Sequence, residues 1–276
     1  MTTTTIPSIT LNNGVTIPQV GFGVFQVPDD ETTTAVRHAL DAGYRAIDTA
    51  AVYGNEAGVG RALAESGLPR DDVFVTTKLW NADQGYDATL RAFDQSLGRL
   101  GLDVVDLYLI HWPAPAHDLY PESWRAITRL AADGRIRAAG VSNFQPSHLQ
   151  RLLDTSDLMP VVNQIELHPR LQQAELRAFH ADHGIATQAW SPLAQGAVLD
   201  DPTLAGIAQR HGRTPAQVVL RWHLQLGNIV IPKSVTPTRI RENLDVLDFE
   251  LTADEMAAIA TLDRDLRTGP HPDTLN

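Results

Sequence analysis

Cysteine is absent from this chain, which excludes disulfides, a thiol nucleophile and any cysteine-ligated metal. Lysine is scarce: of 22 basic residues only Lys78 and Lys233 are lysines, and all the others are arginine. Positive charge as a whole is in deficit, with 33 acidic residues setting the net charge at −11. A broad nucleic-acid or anionic-membrane footprint needs the opposite balance, so neither partner is expected. A local positive pocket for a small anion is still compatible with that total. No apolar run reaches membrane-spanning length. The opening "MTTTTIPSIT" has no basic region followed by an apolar stretch, so no secretion signal is expected and the expected location is the cytoplasm.

What is present fits one large globular α/β unit over 1–276: 276 residues, 43% hydrophobic and 20% charged. "ITLNNGVTI" alternates apolar and polar residues around Asn13-Gly14, which predicts an N-terminal hairpin over 8–18 with type I′ turn chemistry. Apolar segments then alternate with segments of helical period. The strand candidates are 20–25, 45–49, 73–79, 105–111, 136–143, 161–167, 186–190 and 228–233. Helices such as "ETTTAVRHALDAG", "DATLRAFDQSLGRLG", "PESWRAITRLAADG" and "QAELRAFHADHG" lie between them and end on Gly, the residue of a left-handed C-cap. With no Pro/Gly/Ser-rich linker, this alternation predicts a (β/α)8 TIM barrel. A doubly wound sheet is the alternative, but it needs a Gly-rich fingerprint after its first strand. "GFGVFQ" lacks the third glycine, and "GVGRAL" (58–63) falls inside a helical pattern. His180 and His183 lie in a polar helix without a third ligand and read as solvated surface, so no metal site is expected.

In a barrel, side chains at the C-terminal ends of strands surround the active site. The second strand candidate ends on Asp48, the third carries Lys78, the fourth ends on His111 and the eighth on Lys233. Both lysines therefore fall on the catalytic face. That argues against survivors of codon bias and for positions needing a compact charge or a movable pKa. A carboxylate in a buried strand needs a partner, and Lys78 on the neighbouring strand is the obvious one. A purely structural Asp48–Lys78 pair is the plainer alternative. Tyr53, just beyond Asp48, changes the weighing. A phenol titrates near about 10, and a lysine cation beside it is expected to pull that value down. His111 can hydrogen-bond a carbonyl oxygen and orient it. The set suits reduction of a carbonyl, with the proton from Tyr53 and the hydride from a cofactor.

These segments resemble the signatures of the aldo-keto reductase superfamily. "GYRAIDTAAVYGNE" carries the aspartate and tyrosine, "TTKLW" the lysine, and "DLYLIHWP" the histidine. "GVSNF" and "NQIELHP" are similar to its cofactor-side motifs, and "IPKSVTPTRIRENLDVLDFEL" to its C-terminal phosphate signature. The resemblance runs from the hairpin to about residue 262. It includes the bacterial 2,5-diketo-D-gluconate reductase-like branch, in part through the short tail over 263–276 that ends "GPHPDTLN". It implies a monomeric, NADPH-dependent reductase of aldehydes and ketones, including α-dicarbonyls or keto sugar acids such as 2,5-diketo-D-gluconate. Tyr53 would be the acid, Lys78 and Asp48 its tuning pair, and His111 the orienting group. Ser142, Asn143 and Gln164 would contact the nicotinamide, and Trp190 would stack on it. Ser191, Leu193, Gln195 and Gly196 would clamp the pyrophosphate, and Gly23, Val24 and Phe25 would line the cofactor. Trp80, Trp112 and Phe25 would wall the substrate.

The phosphate signature also has its own physics. Lys233 ends a strand, Ser234 and Thr236 add hydroxyls, and Arg239 and Asn243 lie four apart on the next helix. Cations and hydroxyls converging at a helix N-terminus predict an anion site, read as the pocket for the 2′-phosphate of NADP. Val235 and Glu242 belong to the same signature. A solvated helix start is the plainer alternative. Two other functions compete: an NADPH-binding barrel acting as a regulatory or sensor subunit, and a metal-dependent hydrolase using Asp48 and His111, with His168 nearby. Thr49 receives no role, and Gly54 and Asn55 read as the turn and cap that start the following helix.

Overall fold

In the computed structural model, which describes residues 6–276, "ITLNNGVTI" forms an antiparallel hairpin of β1 (Ser8–Thr10) and β2 (Thr16–Pro18). The first half of the segment read for a secretion signal, 1–5, lies outside the described residues. The turn is not type I′. That geometry needs positive φ at both central residues, whereas here Gly14 is left-handed at +84° and Asn13 is not. Gly14 N–H closes the turn on the Leu11 carbonyl at 2.9 Å, and Leu11 N–H reaches the Val15 carbonyl at 2.8 Å, so the loop holds one more residue. Asn13 contributes through its side chain, donating to the Arg137 carbonyl at 3.0 Å and tying the hairpin to the barrel. Leu11 and Ile17 then pack on Phe74, Leu107, Leu109, Val162 and Ile229 at the N-terminal end of the barrel interior.

Eight parallel strands follow: β3 (Phe22–Gly23), β4 (Ala46–Asp48), β5 (Phe74–Leu79), β6 (Val105–Ile110), β7 (Ile136–Ser142), β8 (Val162–Glu166), β9 (Ala186–Trp190) and β10 (Ile229–Val230). They pair in chain order, and the ends meet through a parallel bridge between Val20 and Val230. Gly23 N–H reaches the Pro232 carbonyl at 3.2 Å across this seam. A β-carbon on Gly23 would lie 3.1 Å from the Ile231 carbonyl oxygen, so a larger residue would push the seam apart. The architecture is a (β/α)8 barrel. The seam strands are shorter than the segments predicted for them, because the chain past Gly23 and past Val230 turns into site loops. Lys233 accordingly lies beyond β10 instead of ending it.

Every residue of "FVTTKL" and "VDLYLI" in β5 and β6 is buried, as expected for strands packed inside the barrel on one side and against helices on the other. The helices are α1 (Asp29–Ala42), α2 (Glu56–Glu65), α3 (Tyr86–Leu100), α4 (Tyr120–Ala132), α5 (Pro146–Thr155), α6 (Ala174–Asp182), α7 (Pro202–His211), α8 (Pro215–Gln225), α9 (Pro237–Leu244) and α10 (Ala253–Ala260). Gly43 and Gly101 close α1 and α3 in the left-handed conformation. "GVGRAL" lies inside a helix, running through α2.

His180 is not solvated surface. It sits on the inner face of α6, with Nδ1 2.8 Å from Thr187 Oγ1 and Nε2 2.9 Å from Asn163 Nδ2. The inner face of this short helix carries little apolar pattern, with Leu176 as its buried apolar residue, so its inward side was not legible. Burial pushes His180 down to about 3, and His223 on α8 likewise. Both rings are neutral in the fold, while the unfolded chain protonates them below about pH 6.5. Stability is therefore fully present above that value and declines as pH falls from 6.5 towards 3, by about 1.4 kcal/mol per pH unit for each histidine. Urea titrations at pH 7 and pH 5 should differ accordingly. Equal unfolding free energies would mean that these rings are not held neutral.

Candidate active site

Asp48 ends β4 and Lys78 lies on β5 beside it; both are buried. Lys78 Nζ donates to Asp48 Oδ1 at 2.5 Å and to the Thr49 carbonyl at 2.9 Å. The other carboxylate oxygen, Oδ2, accepts from Gln164 Nε2 at 2.7 Å, and that same nitrogen reaches Gln188 Oε1 at 2.8 Å. Asp48 therefore anchors a polar row from β4 to β9, with members that the sequence reading missed. Thr49 contributes its carbonyl, and Gln188 was visible only as one glutamine within "ATQAW". Asn55 is the N-cap residue of α2, as read, with its carbonyl accepting from Val59 N–H at 3.2 Å, but its side chain caps nothing and works elsewhere. Its Nδ2 donates to the Val24 and Val27 carbonyls at 2.9 Å each, and its Oδ1 accepts from Thr49 Oγ1 at 2.7 Å. It fixes the loop after β3 against the end of β4.

A short 3-10 turn, Ala51–Tyr53, closed by left-handed Gly54, lifts Tyr53 over this pair. Lys78 Nζ lies 5.1 Å from the centre of the Tyr53 ring. The ring packs against Phe25 at 5.0 Å and edge-on to His111 at 5.7 Å. Trp80 stands edge-on to His111 at 5.4 Å, and Trp112 stacks beside that ring at 6.4 Å. The four predicted catalytic residues and the three predicted wall residues thus meet at one mouth. Phe25 is half exposed at its rim.

The electrostatics differ from expectation at Tyr53. Burial pushes its phenol well above the usual range, and the Asp48 carboxylate adds to that push. Burial, with the Asp48 charge on its side, outweighs the pull by which Lys78 was expected to lower the phenol. Burial also pulls Lys78 down while Asp48 holds it up. Burial and then the Lys78 charge push His111 well below its ordinary value, so the imidazole is neutral. The mouth therefore holds a protonated phenol and an uncharged ring above one buried ion pair.

On the cofactor side, Asn143 is left-handed at φ +64°. Its Nδ2 donates to the His111 carbonyl at 2.9 Å and to Ser142 Oγ at 3.0 Å, while Oδ1 accepts from Trp190 Nε1 at 2.8 Å. Ser142 Oγ donates to the Gln164 carbonyl at 2.8 Å. Ser142, Asn143, Gln164 and Trp190 are thus one connected set. In the loop after β9, Ser191, Ala194, Gln195 and Gly196 all have positive φ, with Leu193 between them. The step from Leu193 (φ −102°) to left-handed Ala194 has the right-then-left backbone hand of an anion-binding nest, while Ala194 and Gly196 N–H close turns on the Ser191 and Leu193 carbonyls at 2.8 Å each. At the start of α9, Lys233, Val235, Thr236, Arg239 and Glu242 are exposed and Asn243 is buried. Ser234 Oγ accepts from Thr236 N–H at 3.1 Å. Among the described residues Lys233 and Arg239 make no salt bridge, whereas Arg213 and Arg221 nearby are bound to carboxylates.

His168, weighed above as a possible metal ligand, is buried with Nε2 3.0 Å from Glu166 Oε1. It lies in a set of hydrogen bonds apart from Asp48 and His111. Among the described residues no helix is long and apolar enough to cross a membrane.

A barrel that gathers a phenol acid, a lysine–aspartate pair and a neutral imidazole at the C-terminal ends of its strands is laid out as a cofactor-dependent oxidoreductase. Residues 19–264 match the Aldo/keto reductase family. An aldo-keto reductase of Mycolicibacterium smegmatis is 59% identical over 270 residues, 98% of each chain. A glyoxal reductase of Bacillus subtilis is 51% identical over 276 residues, covering 100% of this chain and 99% of its own. Among solved structures, an aspartate-to-alanine variant of Gox0644 in complex with NADPH superposes with a TM-score of 0.95 at 51% identity, covering 99% of this chain and 100% of that one. This chain belongs to the aldo/keto reductase family and is an oxidoreductase.

Proposed function

We propose that this protein reduces small aldehydes and ketones, α-dicarbonyls foremost, with NADPH as its cofactor. The observation that carries the reading is the protonated Tyr53 phenol poised over the buried Lys78–Asp48 pair and facing neutral His111. NADPH, when bound, supplies the hydride. The residues present suit it. Among the described residues Lys233 and Arg239 make no salt bridge beside α9, and the right-then-left backbone step at Leu193–Ala194 is the geometry of an anion nest suited to a pyrophosphate. Ser142, Asn143 and Gln164 offer polar groups to a carboxamide, and Trp190 offers its ring face.

His111, as a neutral imidazole, donates a hydrogen bond to the substrate oxygen and orients the carbonyl. Tyr53 gives its proton to that oxygen as negative charge builds there, so the oxygen ends as a hydroxyl and the phenol as a phenolate. Lys78 stabilises the phenolate until water returns the proton. The walls formed by Trp80, Trp112 and Phe25 are aromatic and uncharged, which favours compact neutral dicarbonyls over keto acids such as 2,5-diketogluconate. The glyoxal reductase relative supports the same preference. Every residue named comes from one chain, so a monomer suffices.

The test is NADPH consumption with glyoxal, methylglyoxal, an aromatic aldehyde and 2,5-diketogluconate. The dicarbonyls should give the highest kcat/KM. Tight NADPH binding without turnover on any of them would sink the reading in favour of a sensor barrel. In the same assay Arg239→Ala should narrow the preference for NADPH over NADH by about tenfold or more, the loss of one charge-assisted phosphate contact.

A further inference from the structure

The C-terminal residues 263–276 take no part in this chemistry, yet a fully buried carboxylate holds them. Glu166 ends β8 with no exposed surface. Its Oε1 accepts from Thr268 N–H at 2.5 Å and from the Thr268 hydroxyl at 2.6 Å, and its Oε2 accepts from Gly269 N–H at 3.1 Å. His168 completes the set from the barrel side. These donors hold the Glu166 carboxyl below its usual range against the opposing effect of burial. Two more backbone bonds, from Arg264 and Leu266 N–H to the Arg170 carbonyl at 3.1 and 3.0 Å, lead the chain to this point. Further on, Asn276 Oδ1 accepts from Ala116 N–H at 2.8 Å. The tail therefore crosses the mouth from the end of β8 to the loop after β6.

Burying a charge this completely is costly unless it is fully matched, and here most of the match is spent on a terminal segment. The segment adds little to the core: Leu262 is the last residue of the main cluster, and Leu266 is exposed. What it does reach is Trp190. Glu166 and Trp190 are cross-strand partners on β8 and β9, so the anchor and the indole sit side by side. A β-carbon on Gly269 would lie 2.6 Å from Trp190 Cη2 and 3.3 Å from both Cζ3 and Glu166 Oε2. Only glycine packs there without moving the indole or the strap. On its other side the indole donates from Nε1 to Asn143 Oδ1 at 2.8 Å. The ring is thus fixed at two opposite edges.

We propose that Glu166 and Gly269 are positioning residues for the cofactor. The carboxylate straps the tail so that the glycine backbone rests on Trp190 and sets the plane against which the nicotinamide lies. This rests on the reading of Trp190 as the stacking ring in the proposed function. In that role the strap governs cofactor affinity more than the proton-transfer step, because Tyr53, Lys78 and His111 make none of its contacts.

The test uses the full chain with Gly269→Ala, Glu166→Gln and the double variant. NADPH affinity is read from quenching of tryptophan emission, and kcat from steady-state turnover. Each single variant should raise the Kd for NADPH by about five- to tenfold, with kcat changed less than twofold. Adding Gly269→Ala to Glu166→Gln should raise Kd by less than about twofold further, because a released tail can move off the indole. Affinities within twofold of wild type for both single variants would overturn the inference, as would effects that multiply in full. If Glu166→Gln does not fold, Gly269→Ala alone decides by the same Kd criterion, since its change lies on the tail. Wild-type protein is measured alongside. A wild type that does not bind NADPH sinks the proposed function and the strap together, whereas a wild type that binds and turns over beside unaffected variants sinks the strap alone.

Discussion

Tyr53→Phe will abolish turnover while leaving the barrel and its cofactor affinity in place. The substitution removes one hydroxyl and keeps the ring, so the contacts to Phe25 at 5.0 Å, to His111 at 5.7 Å and to Lys78 at 5.1 Å all survive. What is lost is the proton donor. General acid catalysis contributes roughly 10²–10⁴ to a rate, and a carbonyl oxygen taking up charge inside a water-poor mouth depends on it more than one in water does, so kcat should fall by about a thousandfold. The raised phenol pKa adds a second readout. The active form is the protonated one, and burial holds the proton on Tyr53 to well above its ordinary value. Any loss of kcat from its ionisation must therefore appear as pH rises, and only in the alkaline range, leaving the profile flat across neutral pH. Single-turnover oxidation of bound NADPH checks the first outcome and a pH series the second. Appreciable turnover by Tyr53→Phe, or a kcat that falls as pH rises through neutrality, would remove Tyr53 from the role.

The barrel was legible because it is written in periodicity. Segments such as "FVTTKL" and "VDLYLI" must bury both faces, and that forces continuous apolar or β-branched runs. Three of the four proposed catalytic residues were legible for a different reason: Asp48, Lys78 and His111 are residue types that a buried strand or its end does not tolerate without purpose, whereas Tyr53, on the 3-10 turn beyond β4, drew notice by its place just after Asp48. The scarcity of lysine then marked Lys78 and Lys233 individually. The supporting polar contacts lacked both signals. Gln188, Asn55 and the Thr49 carbonyl are ordinary residues whose meaning comes only from the three-dimensional meeting of β3, β4, β8 and β9. His180 was misread because a helix as short as α6 buries too few positions to declare its inner face. The Tyr53 shift was misjudged in sign for an energetic reason. Burial favours the neutral phenol and the Asp48 carboxylate pushes the same way, so together they outweigh the pull of the lysine charge without cancelling it. The tail was opaque because its anchor, Glu166, lies far away in sequence and within a motif that already had a reading.

Breaking the buried pair should separate stability from catalysis. Lys78→Met keeps most of the volume of the lysine stem but leaves the Asp48 charge in the barrel with Gln164 as its remaining partner. Removing one member of a buried ion pair typically costs about 3–5 kcal/mol, so this variant should lose that much unfolding free energy and nearly all activity. Adding Asp48→Asn removes the stranded charge, and the double variant should recover most of the stability, because well-packed neutral replacements of buried pairs are often close to neutral overall. Activity should not return with it. The phenolate formed when Tyr53 gives up its proton would then have no cation beneath it, and that deficit is independent of how stable the barrel is. Denaturant titration and kcat measured on the same three proteins, wild type, Lys78→Met and the double variant, make the comparison. If activity returned together with stability, the pair would be a structural tie, the plainer of the two meanings open to an aspartate and a lysine at adjacent strand ends. If stability returned alone, Lys78 is retained for what its charge does to Tyr53, and the cost of burying it is the cost of having that charge in place before the substrate arrives.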